Sequence, residues 1–132
     1  MAYRVLYAIF LWLVYFRRES ILETVKFVKL IKKLCDDKKA DDVLALDVRG
    51  LSDIADFFVI ATGNSAPQVN AISGNVQKEL SVLGINPSHV EGEREASWVV
   101  IDYFDVIVHV FYKETRKYYN LERLWGDAPR LG

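Results

Sequence analysis

Two carboxylates, Asp102 and Asp105, stand three positions apart between apolar runs and are the first candidates for chemistry in this chain. With Asp47 or Asp53 they could bind Mg²⁺, and Gly63-Asn64-Ser65 could hold a phosphate at a helix start, as nucleotidyl transfer requires. The pattern fits poorly, because such enzymes carry two aspartates at i and i+2 on one strand face and a lysine or longer glycine-rich loop at the phosphate. We therefore expect no catalytic residues, no enzyme activity and no cofactor. A nucleotide-binding or nucleotidyl-transferring enzyme stays the alternative hypothesis.

The histidines and the cysteine do not form a metal set. His89 and His109 are the only histidines and Cys35 is the only cysteine, so no second ligand lies at zinc spacing. His109 has two interpretations that stay open: a residue under the last helix, or a partner-facing group beside Trp98, since aromatic residues near acids are common interface anchors. A single thiol suits a reducing compartment, and we predict a cytoplasmic protein.

The segment Ser97–Tyr112 predicts a β-hairpin, because β-branched residues fill both halves and only a polar-aromatic group interrupts them. A two-residue loop at Tyr103-Phe104 pairs Trp98 with His109. One face of the hairpin is then wholly apolar. The other is mixed and is either covered by another element or kept for a partner; it carries Trp98, Val100, Asp102, Asp105, Ile107, His109 and Phe111.

The remaining pattern predicts an α/β (α+β) fold in which helices cover a mixed sheet of about five strands. A capping box at Ser20 and Glu23 predicts the start of the first helix, and Ser65 with Gln68 predicts the start of the second, which Gly84 ends. Strands are predicted at 43–48, 57–62 and 89–91, before the hairpin, and a short helix at 113–119 follows it.

Residues 1–19 form an apolar N-terminal extension, and residues 20–132 are predicted to form one domain. The apolar run Val5–Phe16 would span only ~18 Å as a helix, short of a ~30 Å hydrocarbon core, so a membrane span is not expected. Three hypotheses stay open for it: a packed extension, a non-native extension from a start site assigned too early, and a membrane or targeting segment.

Charge is segregated along the chain. Residues 40–111 hold eleven Asp and Glu against three Lys and Arg, whereas residues 1–39 hold nine Lys and Arg against four Asp and Glu. An acidic central region favours a basic partner and disfavours specific DNA binding, which needs clustered cations.

Several motifs in order between Ile21 and Pro129 resemble the ribosomal silencing factor family, also called Iojap-like: LDVRGLSDIADFFVIATGNSAPQV, VEGE, WVVIDYFDVIVHVFY and YNLERLWGDAP. The resemblance implies a nucleotidyltransferase-like fold without the catalytic set. It implies binding to the large ribosomal subunit through its basic ribosomal protein number fourteen, where the factor blocks the small subunit sterically and lowers translation under nutrient limitation. It also implies a possible homodimer through the same sheet surface.

The resemblance also indicates a partner-binding surface on the hairpin. Its predicted members are Trp98, Val100, Asp102, Tyr103, Phe104, Asp105 and His109. Phe104 stands where the family usually has glycine, which tolerates φ > 0 far better than phenylalanine, so the turn is the point at which the predicted register could shift.

Overall fold

A six-stranded mixed sheet with the strand order β3-β4-β5-β2-β1-β6 organises the chain in the computed structural model, which describes the backbone of residues 2–131 and the side chains of residues 4–11 and 21–131. The elements are α1 (Ala2–Asp36), β1 (Asp41–Asp47), β2 (Phe57–Gly63), α2 (Ala66–Val82), β3 (His89–Glu91), β4 (Trp98–Asp102), β5 (Val106–Tyr112), α3 (Lys113–Tyr119), α4 (Leu121–Leu124) and β6 (Arg130–Leu131). The predicted class is confirmed. The sixth strand was not predicted; it is a two-residue edge strand that pairs with β1.

The two central strands, β2 and β5, are parallel, and the other neighbouring strands are antiparallel. Every residue of β2 is buried, as its continuous apolar sequence predicts for a strand covered on both faces. Val59 and Ala61 point into a core beneath α1 and α2. Phe58 and Ile60 point into a second core on the opposite face, beneath Trp125 and the chain around α4.

The predicted start of α2 is confirmed. The Ser65 hydroxyl accepts a hydrogen bond from the Gln68 backbone N–H at 3.2 Å, while the Gln68 side-chain oxygen accepts from the Asn64 N–H at 2.6 Å. The reciprocal bond thus closes one residue earlier than in a standard capping box. The predicted stop is also confirmed, since Gly84 takes φ +81° directly after the helix.

The predicted helix start at Ser20 is wrong. α1 is continuous from Ala2 to Asp36, so Ser20 lies inside it. No proline or glycine separates Val5–Phe16 from the helix that follows, and a capping motif cannot end a helix when the residues before it also favour the helical state. Within the described residues, no helix is long and apolar enough to cross a membrane.

The predicted register of the hairpin is wrong by two residues. Trp98 pairs with Phe111 rather than with His109. The turn lies one residue further along the chain than predicted: the Tyr103 N–H donates to the Val106 carbonyl at 2.9 Å, so the two residues between them are Phe104, at φ +72°, and Asp105. Because a shift of two keeps the alternation of side chains, the division into an apolar face and a mixed face is preserved.

Replacing Phe104 by glycine is expected to stabilise the protein by up to ~1 kcal/mol. The left-handed conformation costs a residue with a Cβ ~1–2 kcal/mol, and glycine gives back ~0.5–1 kcal/mol through the entropy of the unfolded chain. The Phe104 ring is 68% exposed, so little packing is lost. Urea unfolding measures the change. Ile54→Gly is the matched control: Ile54 is 70% exposed without a positive φ, and its replacement should destabilise. A loss of stability in Phe104→Gly would contradict the strain argument.

Candidate functional site

The hairpin residues predicted to bind a partner fall into exposed, half-buried and buried groups. Phe104 and Asp105 are exposed at the turn, and Trp98, Val100 and Asp102 are half-buried along β4. Tyr103 and His109 are buried, with 6% and 8% of their surface exposed. The structure therefore brings five of the seven predicted residues to the surface.

The placement of Tyr103 on the partner-facing surface is wrong. It follows β4 with the parity of Val99 and Ile101, so its ring enters the core beneath α1, where it meets the edge of Phe27 at 5.6 Å between centroids. Burial raises the pKa of its hydroxyl to about 12. Because the turn begins at Phe104 rather than at Tyr103, Tyr103 continues the alternation of β4 and lies on the core side of the sheet.

Two of the four carboxylates considered for metal binding serve local structure. Asp102 accepts a hydrogen bond from the Phe104 N–H at 2.8 Å, which stabilises the strained turn. Asp47 forms an ion pair with Arg49 at 2.6 Å, and hydrogen bonding to that guanidinium lowers the pKa of the carboxyl. Among the described residues, no three His, Cys, Asp or Glu side chains are grouped so that they could hold a metal.

His109 supports Trp98 from beneath. The indole N–H donates to His109 Nδ1 at 3.1 Å, and the imidazole also meets Phe58 at 5.0 Å between centroids. Of the two interpretations of His109, the structure shows the buried one. Desolvation lowers its pKa to about 4, so the ring is neutral at physiological pH, with Nδ1 free to accept the Trp98 hydrogen bond.

Trp98 is also held from both sides by aromatic rings. It stacks on Phe111 of β5 at 4.9 Å and contacts Tyr119 of α3 at 4.8 Å. These contacts fix the indole in one orientation while one part of it stays accessible. A rigid, half-exposed tryptophan is the residue type that most often dominates the energy of a protein interface.

α3 completes a pocket around Trp98, which we call the acidic aromatic pocket. Its volume is about 560 Å³, and it is lined by Glu95, Ser97, Trp98, Glu114, Thr115, Tyr118 and Tyr119. Tyr118 is 83% exposed and Tyr119 is 51% exposed. Neither Glu95 nor Glu114 forms an ion pair with a residue that the structure describes. Unpaired carboxylates beside aromatic faces suit a lysine or arginine side chain, through ion pairing and cation–π contact.

Sequence reasoning missed the contribution of α3 to this pocket. The helix itself was predicted, and Glu114 and Tyr118 stand four residues apart, a spacing that puts both on one side. That signal could have suggested a mixed acidic and aromatic side. It could not show that α3 folds back over β4, because the sequence pattern of a short helix does not specify its tertiary neighbour.

Fold and site together define a class: an α+β protein whose mixed sheet carries two long helices on one face, and two short helices with an acidic aromatic pocket on the opposite face. Residues 21–132 match the family model described as "Ribosomal silencing factor during starvation". The chain belongs to the ribosomal silencing factor family. The resemblance found in its motifs is thereby confirmed.

Relatives and solved structures agree with this assignment. The chain is 51% identical to the ribosomal silencing factor of Bacillus subtilis over 102 residues, which cover 77% of this chain and 86% of the relative. It is 33% identical to the chloroplastic protein Iojap of Arabidopsis thaliana over 109 residues, which cover 83% of this chain and 45% of that protein. A crystal structure from Bacillus halodurans superimposes with a TM-score of 0.72 at 45% identity, covering 81% of this chain and 97% of the other. One from Chromobacterium violaceum gives 0.73 at 33% identity, covering 77% and 86%.

Burial of neutral His109 predicts a loss of stability in mild acid. Its pKa is about 4 in the folded protein and ~6.5 in the unfolded chain, so below pH ~6.5 the unfolded chain binds the extra proton. The contribution of His109 to the free energy of unfolding is complete above pH ~6.5. It falls by up to ~1.4 kcal/mol per pH unit as the pH drops toward 4, and it stays constant at lower pH. The measurement is the free energy of unfolding of the wild type minus that of His109→Phe, which cannot titrate at this position.

The control for this experiment is Ile54→Gly. It changes the stability at an exposed position without removing a titratable group, so its difference from the wild type should stay constant with pH. If the difference between the wild type and His109→Phe stays constant from pH 7 to 4, His109 is not held neutral by burial.

Proposed function

We propose that this protein represses translation by binding the large ribosomal subunit and sterically blocking the joining of the small subunit when nutrients are limiting. The observation that carries the proposal is the acidic aromatic pocket around Trp98, on a chain whose relatives are named ribosomal silencing factors. The partner on the subunit is its ribosomal protein number fourteen, whose basic side chains the pocket suits. The protein acts without catalysis, by occupying the surface, and it acts in the cytoplasm.

The proposed interface runs along the outer edge of the mixed face, from the pocket to the hairpin turn. Val100 lies between Trp98 and Asp102 on the same face of β4, and at ~3.3 Å per residue the two ends of that strand are ~13 Å apart. Phe104 and Asp105 extend the surface at the turn. The interface thus combines a fixed aromatic centre with carboxylates at its rim, and rim charges mainly steer association and increase its rate.

The same surface is the proposed contact in a homodimer. A two-fold axis would place the aromatic, half-exposed face of one copy against the same face of a second copy, so that each copy covers the Trp98 of the other. A dimer formed in this way would hide the pocket, so dimerisation and ribosome binding are mutually exclusive in this proposal.

Removing an anchor residue should weaken subunit binding. Tyr118→Ala and Trp98→Ala are each expected to weaken binding to purified large subunits by ~2 kcal/mol, or ~30-fold, if these rings are hot spots. Tyr118 is the cleaner probe, because its ring is 83% exposed and its truncation leaves the core intact. Co-sedimentation with large subunits measures binding, and light scattering measures inhibition of subunit joining.

Leu83→Ala is the matched control for these variants. Leu83 is 62% exposed at the end of α2, on the other face of the sheet, and its truncation should change neither assay. The thermal midpoint of each variant checks the fold. Wild-type co-sedimentation by both Tyr118→Ala and Trp98→Ala would refute this interface. Wild-type joining kinetics in the presence of bound protein would refute steric blocking.

A further inference from the structure

A second cavity, of about 580 Å³, lies on the other side of α3 and has the opposite charge. α3 presents Lys113, Arg116 and Lys117 to it, at the i, i+3 and i+4 spacing of one helix side. Arg130 of the edge strand β6 also lines it. We call this cavity the cationic cleft.

Arg116 forms the fixed wall of the cleft. Its Nε donates to Glu122 at 2.5 Å, and its Nη1 donates to the Asp42 carbonyl at 2.6 Å and to the Thr62 hydroxyl. Only 12% of its side chain is exposed. These bonds join α3 to β1, β2 and α4, so the helix that carries the lysines is held in place. The ion pair with Glu122 also offsets the charge of Arg116, so the positive charge of the cleft comes from the other three cations.

Those three cations have no counter-charge of their own. Lys113, Lys117 and Arg130 are exposed, and none of them forms an ion pair with a residue in the described part of the chain. Asp42 is the one further carboxylate in the lining, so the cleft has an excess of two positive charges in a protein whose net charge is −1. Like charges gathered around a concavity raise the local potential and concentrate anions there.

The position of the cleft in the sheet is also one where ligands bind. Thr62 lies at the carboxyl end of β2, and Lys113 directly follows the carboxyl end of its parallel neighbour β5. The chain leaves β2 for α2 on one face and leaves β5 toward the C-terminal elements on the opposite face. In open sheets with parallel strands, the crevice outside the carboxyl ends at such a divergence is the usual ligand site.

We propose that Lys113, Lys117 and Arg130 form a phosphate-binding cleft that takes a phosphate ester, either in an RNA backbone or in a free nucleotide. Arginine offers a planar fork that matches two phosphate oxygens, and the lysines add mobile point charges. The RNA source rests on the proposed function, because a ribosomal surface presents RNA phosphates beside protein. α3 then meets a basic protein with its acidic aromatic side and RNA with its cationic side.

The test measures binding of two probes to the full chain by fluorescence anisotropy: a labelled single-stranded RNA of about ten nucleotides and a labelled ATP. The variant Lys113→Gln/Lys117→Gln/Arg130→Gln removes the cleft charges. It should weaken RNA binding at least tenfold and reduce the slope of log affinity against log salt by ~2, at ~0.7 per lost contact. If the ATP probe binds the wild type and the same variant abolishes this binding, a free nucleotide is a ligand of the cleft. If only the RNA probe binds, the ligand is the RNA backbone.

The matched control is Lys29→Gln/Lys32→Gln/Lys33→Gln, which removes the same charge from α1, outside the cleft. It should change the affinity for either probe less than threefold. If neither probe binds the wild type, or if both triple variants weaken binding equally, the cleft is not a phosphate site. Thermal midpoints show that the substituted proteins are folded, since all six side chains lie at the surface of their elements.

Tyr118→Ala separates this inference from the proposed function. It should bind both probes like the wild type, because Tyr118 lines the opposite pocket. Loss of phosphate binding in this variant would overturn a separate cleft. Wild-type binding of large subunits by the same variant would count against the proposed protein interface and leave the cleft standing.

Discussion

The parallel pairing of β2 and β5 is the constraint on which the rest of this structure depends. Both strands are buried almost throughout, so each face of the sheet needs its own cover. α1 and α2 supply one cover, and Leu121, Trp125 and Ala128 contribute to the other. The second cover is thin, since α3 and α4 have seven and four residues and bury none of them completely. The two cavities lie at the borders of this thin layer, where side chains of the sheet remain partly accessible.

Trp98 shows how such a border residue becomes a defined site. Its indole is fixed by a hydrogen bond to His109 and by contact with Phe111 and Tyr119, which come from two different elements. His109 can accept that bond only as the neutral imidazole, and burial keeps it neutral. The histidine is thus a positioning residue for the tryptophan. In the proposed interface, an anchor that is already ordered would lose little conformational entropy on binding.

Sequence patterns predicted the local features of this fold. They failed where a distant contact or a strained turn determines the conformation. The Ser65 cap, the Gly84 stop and the buried β2 follow from local chemistry and are confirmed. The hairpin faces were predicted because alternation survives a shift of two residues. The register was not predicted, because the turn, with Phe104 at a positive φ, lies one residue later than the sequence pattern indicated. The burial of Tyr103 follows from that same turn.

α3 links the two surfaces that neighbour it. A helix of seven residues is not stable alone, so its position depends on its anchors: the Arg116 bonds to β1, β2 and Glu122 on one side, and the contact of Tyr119 with Trp98 on the other. Each anchor stands at the wall of one cavity, the cationic cleft or the acidic aromatic pocket. A displacement of the helix therefore changes both cavities together.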